Sequence, residues 1–339
     1  MNDYVIITAI DKIDKTKWSE FVFDHPHGNI FQTPEMYEVY QNTKNYEPVF
    51  LAVVNDKGEI SGTLLAVIQK EYSGILGNFT ARSIVHGGPL IKNDDPDVLG
   101  FVLKEYNMII KKKAIYSQFR NFWDVLPEND VFQKYGFRFE DHLNYIIDLA
   151  VGEEVRWSLI HKSRKKKIKK AHKNDLYIET YYSNIANKQI ENGYKIISDV
   201  YRSKGLPIAS IEYFIAAAKK NILALFVVKK DNVNIACRFA LIYKDVIFGW
   251  YAGSYKSYYK LFPNDLLIWE TLKWGIRNNY RYFDYGGAGE PNKPYGVRNF
   301  KAQMGGQLVN YGRYEKIHKP FLYNLAKIGF KFWRSNKKK

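Results

Sequence analysis

The chain has 339 residues, 46% of them hydrophobic and 16% aromatic, and a formal net charge of +16. That length exceeds one small core and predicts two domains of ordinary size, while the apolar content excludes a disordered chain. The single cysteine, Cys237, excludes an internal disulfide and a Cys-based zinc site, and no window approaches eighteen uncharged apolar residues, which excludes a transmembrane helix.

In chain order, the alternation of apolar and polar residues predicts strands over Tyr4–Ile10, Val49–Val54, Thr63–Gln69, Arg82–Leu90, Ile115–Trp123 and Asn144–Leu149. Helical periodicity fits Lys15–Asp24, Pro34–Asn42 and Asp97–Lys113, with Pro34 and Pro96 at helix starts where proline is tolerated. Beyond Gly152 the expected helices are Glu153–Asn174, Asn184–Lys204, Ser210–Lys220, Asn264–Asn279 and Lys319–Trp333. The expected strands there are Leu176–Tyr182, Ile222–Lys229, Ile235–Tyr243, Val246–Tyr251, Arg281–Tyr285 and Leu308–Tyr314. The hairpin Phe50–Gln69 finds a counterpart in Ala224–Ile242, 174 residues later. In both halves a strand ending in glycine, a helix behind a proline and another strand follow. Two copies of one mixed α/β unit are therefore expected, each mostly antiparallel with a β-α-β ending. The boundary falls near Gly152, giving a first domain over 1–151 and a second over 152–314, with 315–339 packing back on the first.

Three segments concentrate chemistry. Arg156–Lys173 holds nine Lys or Arg and no acid; Arg164, Lys165, Lys166 and Lys167 form its centre. Such a helix is either a solvated face or a surface that tracks phosphates. The stretch Tyr282–Gln307 carries six glycines, with Tyr295, Arg298, Phe300 and Lys301 packed between the two glycine groups. The end of the strand Arg281–Tyr285 runs into one connection whose stiffness, aromatics and cations suit an anionic or carbonyl substrate. From Lys316 onward there is no acid, and apolar residues alternate with cations, the pattern of a helix lying on an anionic membrane surface or of a docking helix with a basic tail.

Other constellations are missing. No G-x-x-x-x-G-K-[ST], H-E-x-x-H or G-x-S-x-G occurs, and no third ligand follows His25 and His27 at metal spacing, so no metal and no cofactor is expected. The phosphate loop of acetyl-coenzyme-A users is also absent. No signal-peptide core follows Met1, which places the protein on the cytosolic side.

The segment FDYGGAGEPNKPYGVRNFKAQMGGQLVNYG (Phe283–Gly312) resembles the FemABX family, the aminoacyltransferases that build peptidoglycan interpeptide bridges. Supporting pieces are NIFQTPEMYEVY (Asn29–Tyr40), IVHGGPLI (Ile84–Ile91), SRKKKIKKA (Ser163–Ala171) and YRSKGLPIASIEYF (Tyr201–Phe214), in the family's order across nearly the full chain. The resemblance implies tandem GNAT-like α/β domains, here without the long coiled-coil arm of some members. It implies transfer of an amino acid from aminoacyl-tRNA to an amine of a peptidoglycan or other envelope precursor. The family's Phe-Lys pair falls on Phe300 and Lys301 as catalytic residues, with Lys301 the cation for the tetrahedral oxyanion. Arg202 would hold the precursor's phosphates, with Tyr213 and Tyr251 as aromatic neighbours; Tyr285, Tyr295 and Arg298 complete the substrate-binding set. Arg164 and Lys165–Lys167 would face the tRNA, and the C-terminal helix would contact the inner leaflet. One departure is that Tyr37 and Gln41 stand where the family often has Trp and Lys. An acyl-coenzyme-A-dependent N-acyltransferase acting on an amino sugar is the competing reading.

Overall fold

The computed structural model describes residues 4–325 apart from 73, 75, 76 and 78. Its strands are β1 (Val5–Ile7), β2 (Tyr46–Val54), β3 (Ile60–Gln69), β4 (Arg82–His86), β5 (Leu90–Ile91), β6 (Tyr116–Arg120), β7 (Arg138–Glu140), β8 (Leu143–Asp148), β9 (Tyr177–Tyr182), β10 (Leu223–Lys230), β11 (Val233–Tyr243), β12 (Val246–Ser254), β13 (Tyr282–Gly289), β14 (Gln307–Asn310) and β15 (Arg313–Ile317). The helices among these residues are α1 (Lys15–Asp24), α2 (Pro34–Gln41), α3 (Pro96–Lys113), α4 (Asn129–Lys134), α5 (Gly152–Leu159), α6 (Lys162–Lys173), α7 (Asn187–Ser203), α8 (Ile211–Lys219), α9 (Pro263–Arg277) and α10 (Gly296–Ala302). They form two compact units, one of the chain up to Asp141 together with the chain from Tyr311, the other of His142–Asn310.

In the first unit the sheet runs β1-β2-β3-β4-β6-β15-β7, with β5 added to β3. All neighbours are antiparallel except β4 and β6. Strand β3 is apolar nearly throughout because both of its faces are covered. Alternation along β2 shows how: Phe50 meets Trp18 of α1 at 4.1 Å between ring centroids, while Val49, Leu51 and Val53 join the core formed with Val98, Val102, Tyr106 and Ile110 of α3. Helix α3 starts where Asp95 accepts from the Asp97 and Val98 amides and Pro96 fits the first turn; Lys111–Lys113 close it, matching the helix dipole at both ends.

The second unit repeats the plan: β14-β8-β13-β12-β11-β10-β9, antiparallel except β12 and β13. Helix α7 buries Ile190, Gly193, Ile196, Ile197 and Val200 on one stripe, and its Gly193 sits so close to Phe239 that a Cβ there would come within 2.9 Å of the ring. Leu266, Ile268 and Leu272 of α9 pack with Ala224, Phe226, Ala236 and Ala240 in the unit's apolar core.

The internal repeat read from element order is thus present strand for strand: β2-β3-β4-α3-β6 corresponds to β10-β11-β12-α9-β13. The expected boundary at 151/152 is corrected. Strand β8, assigned to the first domain, hydrogen-bonds β13 and β14 of the second sheet. Its place in the first sheet is taken by β15, which pairs β6 and β7, so the second boundary falls at 310/311 rather than 314/315. Leu143, Tyr145 and Ile147 are buried, but an apolar strand would suit either sheet; long-range pairing chose.

Three further expectations change. The helix 153–174 breaks at Ile160, whose side chain enters the core with 2% exposure and whose backbone is extended; the next amide, His161 N, bonds Gln303 O at 2.9 Å. The strand 308–314 divides into β14 and β15. The connection expected after the strand 281–285 is instead a continuation of that strand to Gly289, a short turn and helix α10. Helix α4 and strand β7 have no counterpart among the expected elements. The expected C-terminal helix lies mostly outside the described residues, of which 320–325 are helical.

Candidate active site

The glycines of β13 deform the strand in a useful way. Its pairing with β8 shifts register between Asp284 and Gly287 and again before Gly289, and Gly286 and Gly289 adopt φ of +66° and +79°, a region that disfavours other residues. The bulged backbone turns three successive carbonyls to one point. Lys301, from α10, sits there: its Nζ donates to the oxygens of Tyr285 (2.9 Å), Gly286 (3.1 Å) and Gly287 (2.9 Å). Only 7% of Lys301 is exposed, and Nζ lies 5.2 Å from the centroid of the Tyr285 ring.

The electrostatics are finely set. Burial pulls the Lys301 pKa from 10.5 to about 8; nearby Asp284 opposes this and Arg238 adds to it. Asp284 is itself buried and accepts from Asn144 Nδ2 and the Gly286 amide, each at 2.7 Å; burial still raises its pKa above the carboxylate norm. Lys301 therefore remains mostly charged at neutral pH, yet all three of its donors are occupied. It fixes the β13 bulge and leaves no N–H spare while those bonds hold, so its charge reaches any neighbouring group only through its field.

Arg298 is equally committed. Its Nε donates to Ala288 O and Nη1 to Pro291 O, both at 2.9 Å, and Nη2 reaches Glu290 O. It ties the turn after β13 to α10, while Tyr295 stands 44% exposed just before that helix. Tyr285 is buried, and its hydroxyl has no hydrogen-bond partner among the described residues.

The basic helix α6 is docked on the same element. Arg164 stacks on Phe300, 4.6 Å from its centroid, donates Nε to Gln303 Oε1 at 2.8 Å, and pairs with the buried Asp265 at 2.9 Å. Lys165 donates to Ser158 O at 2.9 Å, and Lys167 lies 5.8 Å from the Phe262 centroid, whereas Lys166 is exposed. Among the four cations expected to meet phosphate, Arg164 is therefore a joint between α6, α9 and α10.

Arg202 is exposed on α7 and reaches Ser198 Oγ at 3.4 Å. Tyr213 is buried against Trp250, 4.4 Å between centroids. Tyr251 is half-buried and meets Tyr201 at 5.6 Å and Phe214 at 5.0 Å. In the first unit, His25 contacts Ile91 O at 3.0 Å and His27 stacks on Trp123 at 4.4 Å, packing roles consistent with loop histidines. Sequence reasoning passes over Arg238, Asp265, Asp284 and Asn144. The available signal is a lone Arg inside the apolar run Ile235–Ile242 and a lone Asp beside the glycines of β13.

A family model described as an acetyltransferase (GNAT) domain matches residues 211–301, the stretch from α8 to Lys301. The second unit is accordingly an acyltransferase module. No curated protein matches the chain in sequence. Among solved structures, FemX is similar over 95% of this chain and 99% of its own, with a TM-score of 0.71 at 14% identity. A tandem GNAT protein from the clavulanic acid biosynthesis pathway is similar over 94% and 99%, TM-score 0.59 at 9% identity. The L-PGS from Bacillus licheniformis is similar over 90% and 92%, TM-score 0.57 at 16% identity. The fold is that of FemX, two tandem GNAT-like units, and no long coiled-coil arm is present among the described residues.

Proposed function

We propose that the protein is an aminoacyltransferase that moves an amino acid from aminoacyl-tRNA to an amine of a peptidoglycan or related envelope precursor. The observation that carries this reading is the joint between α6 and α10. A helix rich in cations is held by Arg164 on Phe300 and Gln303, one residue and two residues from Lys301. A phosphate-bearing donor tracked by the exposed lysines of α6 arrives beside a buried ammonium.

The chemistry asks little of side chains. A neutral amine attacks the ester carbonyl; the C–N bond forms, the carbonyl electrons collect on oxygen, and the ester C–O bond then breaks. The ribose hydroxyl leaves with the proton that the amine loses. What the protein supplies is alignment and a fixed positive field at the oxyanion. Lys301 provides that field in this reading, with Phe300 beside it excluding water. Arg202, Tyr213 and Tyr251 stand as the acceptor side, and Tyr285, Tyr295 and Arg298 as the frame of the acyl side.

No helix among the described residues is long and apolar enough to cross a membrane. The reading places the enzyme on the cytoplasmic side, with the basic stretch Phe321–Lys339 meeting the inner leaflet. Flotation with anionic liposomes, with and without that stretch, tests this: equal flotation of both forms rejects it.

The match of 211–301 to an acetyltransferase model favours a second reading, an N-acyltransferase that takes acyl-coenzyme A and acts on an amino sugar. One experiment decides. Charged tRNA and acyl-coenzyme A are offered in turn with labelled acyl groups, and label is followed into amine acceptors. Transfer from tRNA supports the first reading, and transfer from coenzyme A alone replaces it.

A further inference from the structure

From Ile235 to Ile242 strand β11 is apolar except for Arg238, and that residue is 7% exposed. Among the described residues no carboxylate pairs with it, and its buried Nε has no hydrogen-bond partner. Its surroundings are aromatic: the guanidinium carbon lies 5.2 Å from the Phe283 centroid and 5.9 Å from that of Tyr285. Tyr285 adds a second orphan, a buried hydroxyl with no hydrogen-bond partner among the described residues. Burial pulls the Arg238 pKa down, and only Tyr285, Tyr201 and Cys237 act against it. A buried cation left without a counter-charge is strongly unfavourable, so the fold holds it there at a cost to its own stability.

The place is specific. Parallel pairing of β12 with β13 stops at Phe248 and Asp284, although β12 runs on to Ser254 and β13 to Gly289. Arg238 is registered opposite Ala252, beyond that last pair, where the two strands no longer bond each other. Gly249 stands at the fork: a Cβ there would lie 2.9 Å from Arg238 Nη1, 3.0 Å from the Phe283 ring and 3.2 Å from Asp284 O. The absence of a side chain at 249 is what lets the guanidinium enter the fork. A planar fork of donors held by ring faces suits a group that presents two oxygens.

We propose that Arg238 and the Tyr285 hydroxyl form a buried anion subsite in the fork between β12 and β13, which takes a carboxylate or phosphate group of a substrate. The subsite goes beyond the transfer reading and is tested by binding alone, so it fails or stands whatever the acyl carrier proves to be.

The test uses the full chain and follows Tm with acetate or inorganic phosphate as probe, ionic strength being held constant with chloride. At about 100 times its Kd the effective probe is expected to raise Tm by roughly 5–10 °C. In Arg238→Met the rise disappears, and the variant alone melts above wild type because an uncompensated charge has gone. Tyr285→Phe, which keeps the ring, is expected to fold normally and bind the probe roughly 3- to 10-fold more weakly. A response to acetate alone identifies a carboxylate on the acyl group or acceptor, and one to phosphate alone identifies the carrier's phosphate. The proposal is overturned if neither anion shifts Tm, or if wild type and Arg238→Met respond equally, which means adsorption elsewhere on this basic chain. Should Arg238→Met fail to fold, equal anion affinities of wild type and Tyr285→Phe overturn it instead.

Discussion

Replacing Lys301 by methionine keeps an unbranched side chain one atom shorter and removes its charge and its three hydrogen bonds. The folded protein holds the Lys301 pKa at about 8 against an ordinary 10.5, a difference equivalent to about 3 kcal/mol. For this lysine the folded value is depressed, so between pH 8 and 10.5 the unfolded chain binds more protons and stability rises with pH. The penalty for burying the ammonium is fully present below pH 8 and relieved as pH climbs through that window. In Lys301→Met it is absent at every pH, while three backbone carbonyls lose their donor at about 1–3 kcal/mol each. The variant is thus expected to be between about zero and 6 kcal/mol less stable than wild type at pH 7. Between pH 7 and 9.5 wild type should gain about 2 kcal/mol on the variant, the titration of all other groups cancelling in the comparison. Urea unfolding followed by tryptophan fluorescence at the two pH values measures it. A wild-type-minus-variant difference that does not change with pH refutes a buried, depressed ammonium at this position. Transfer activity of folded Lys301→Met is expected to fall about 10²–10³-fold, and wild-type activity should lose its dependence on this charge above about pH 8; a variant with near-normal turnover rejects the catalytic role.

Arg164→Met leaves the buried Asp265 carboxylate without its partner and is expected to destabilise the second unit by about 3–5 kcal/mol, read by the urea midpoint; adding Asp265→Leu should recover most of that loss. Lys166→Glu, on the exposed side of α6, is expected to leave Tm unchanged while weakening tRNA binding and reducing the slope of log Kd against log salt by about 1; an unaltered slope removes α6 from the donor surface. Gly286→Ala forces a side chain at φ +66° and should cost about 1–2 kcal/mol, measured by the shift in Tm, with a larger loss of transfer if the bulge is what aims the carbonyls at Lys301. An unshifted Tm contradicts the bulge geometry.

Local signals carry far in this chain. Helix starts at Lys15, Pro34 and Pro96 follow from caps and prolines that act within a few residues, and the hairpins β2–β3 and β10–β11 follow from turn residues between apolar runs. Phe300 and Lys301 are legible through resemblance of one segment to a family motif. The site's electrostatics are not. Lys301 reads as any surface lysine until β13 supplies its carbonyls, and Arg238 reads as an interruption of an apolar strand until β12 and β13 part beside it.

The sequence by itself determined that the protein holds two mixed α/β units, because periodicity, turn chemistry and element order are properties of neighbouring residues. It also determined that the cations cluster on α6 and around the glycines after Asp284. Only the tertiary structure decided which sheet receives β8 and which receives β15, since each is inserted between two strands distant in sequence and pairing across more than 100 residues makes the choice. It likewise decided that 296–302 coils into a helix rather than remaining a loop. That turn brings an ammonium out of water onto three carbonyls, and desolvation, which no string of residues displays, gives Lys301 its altered chemistry.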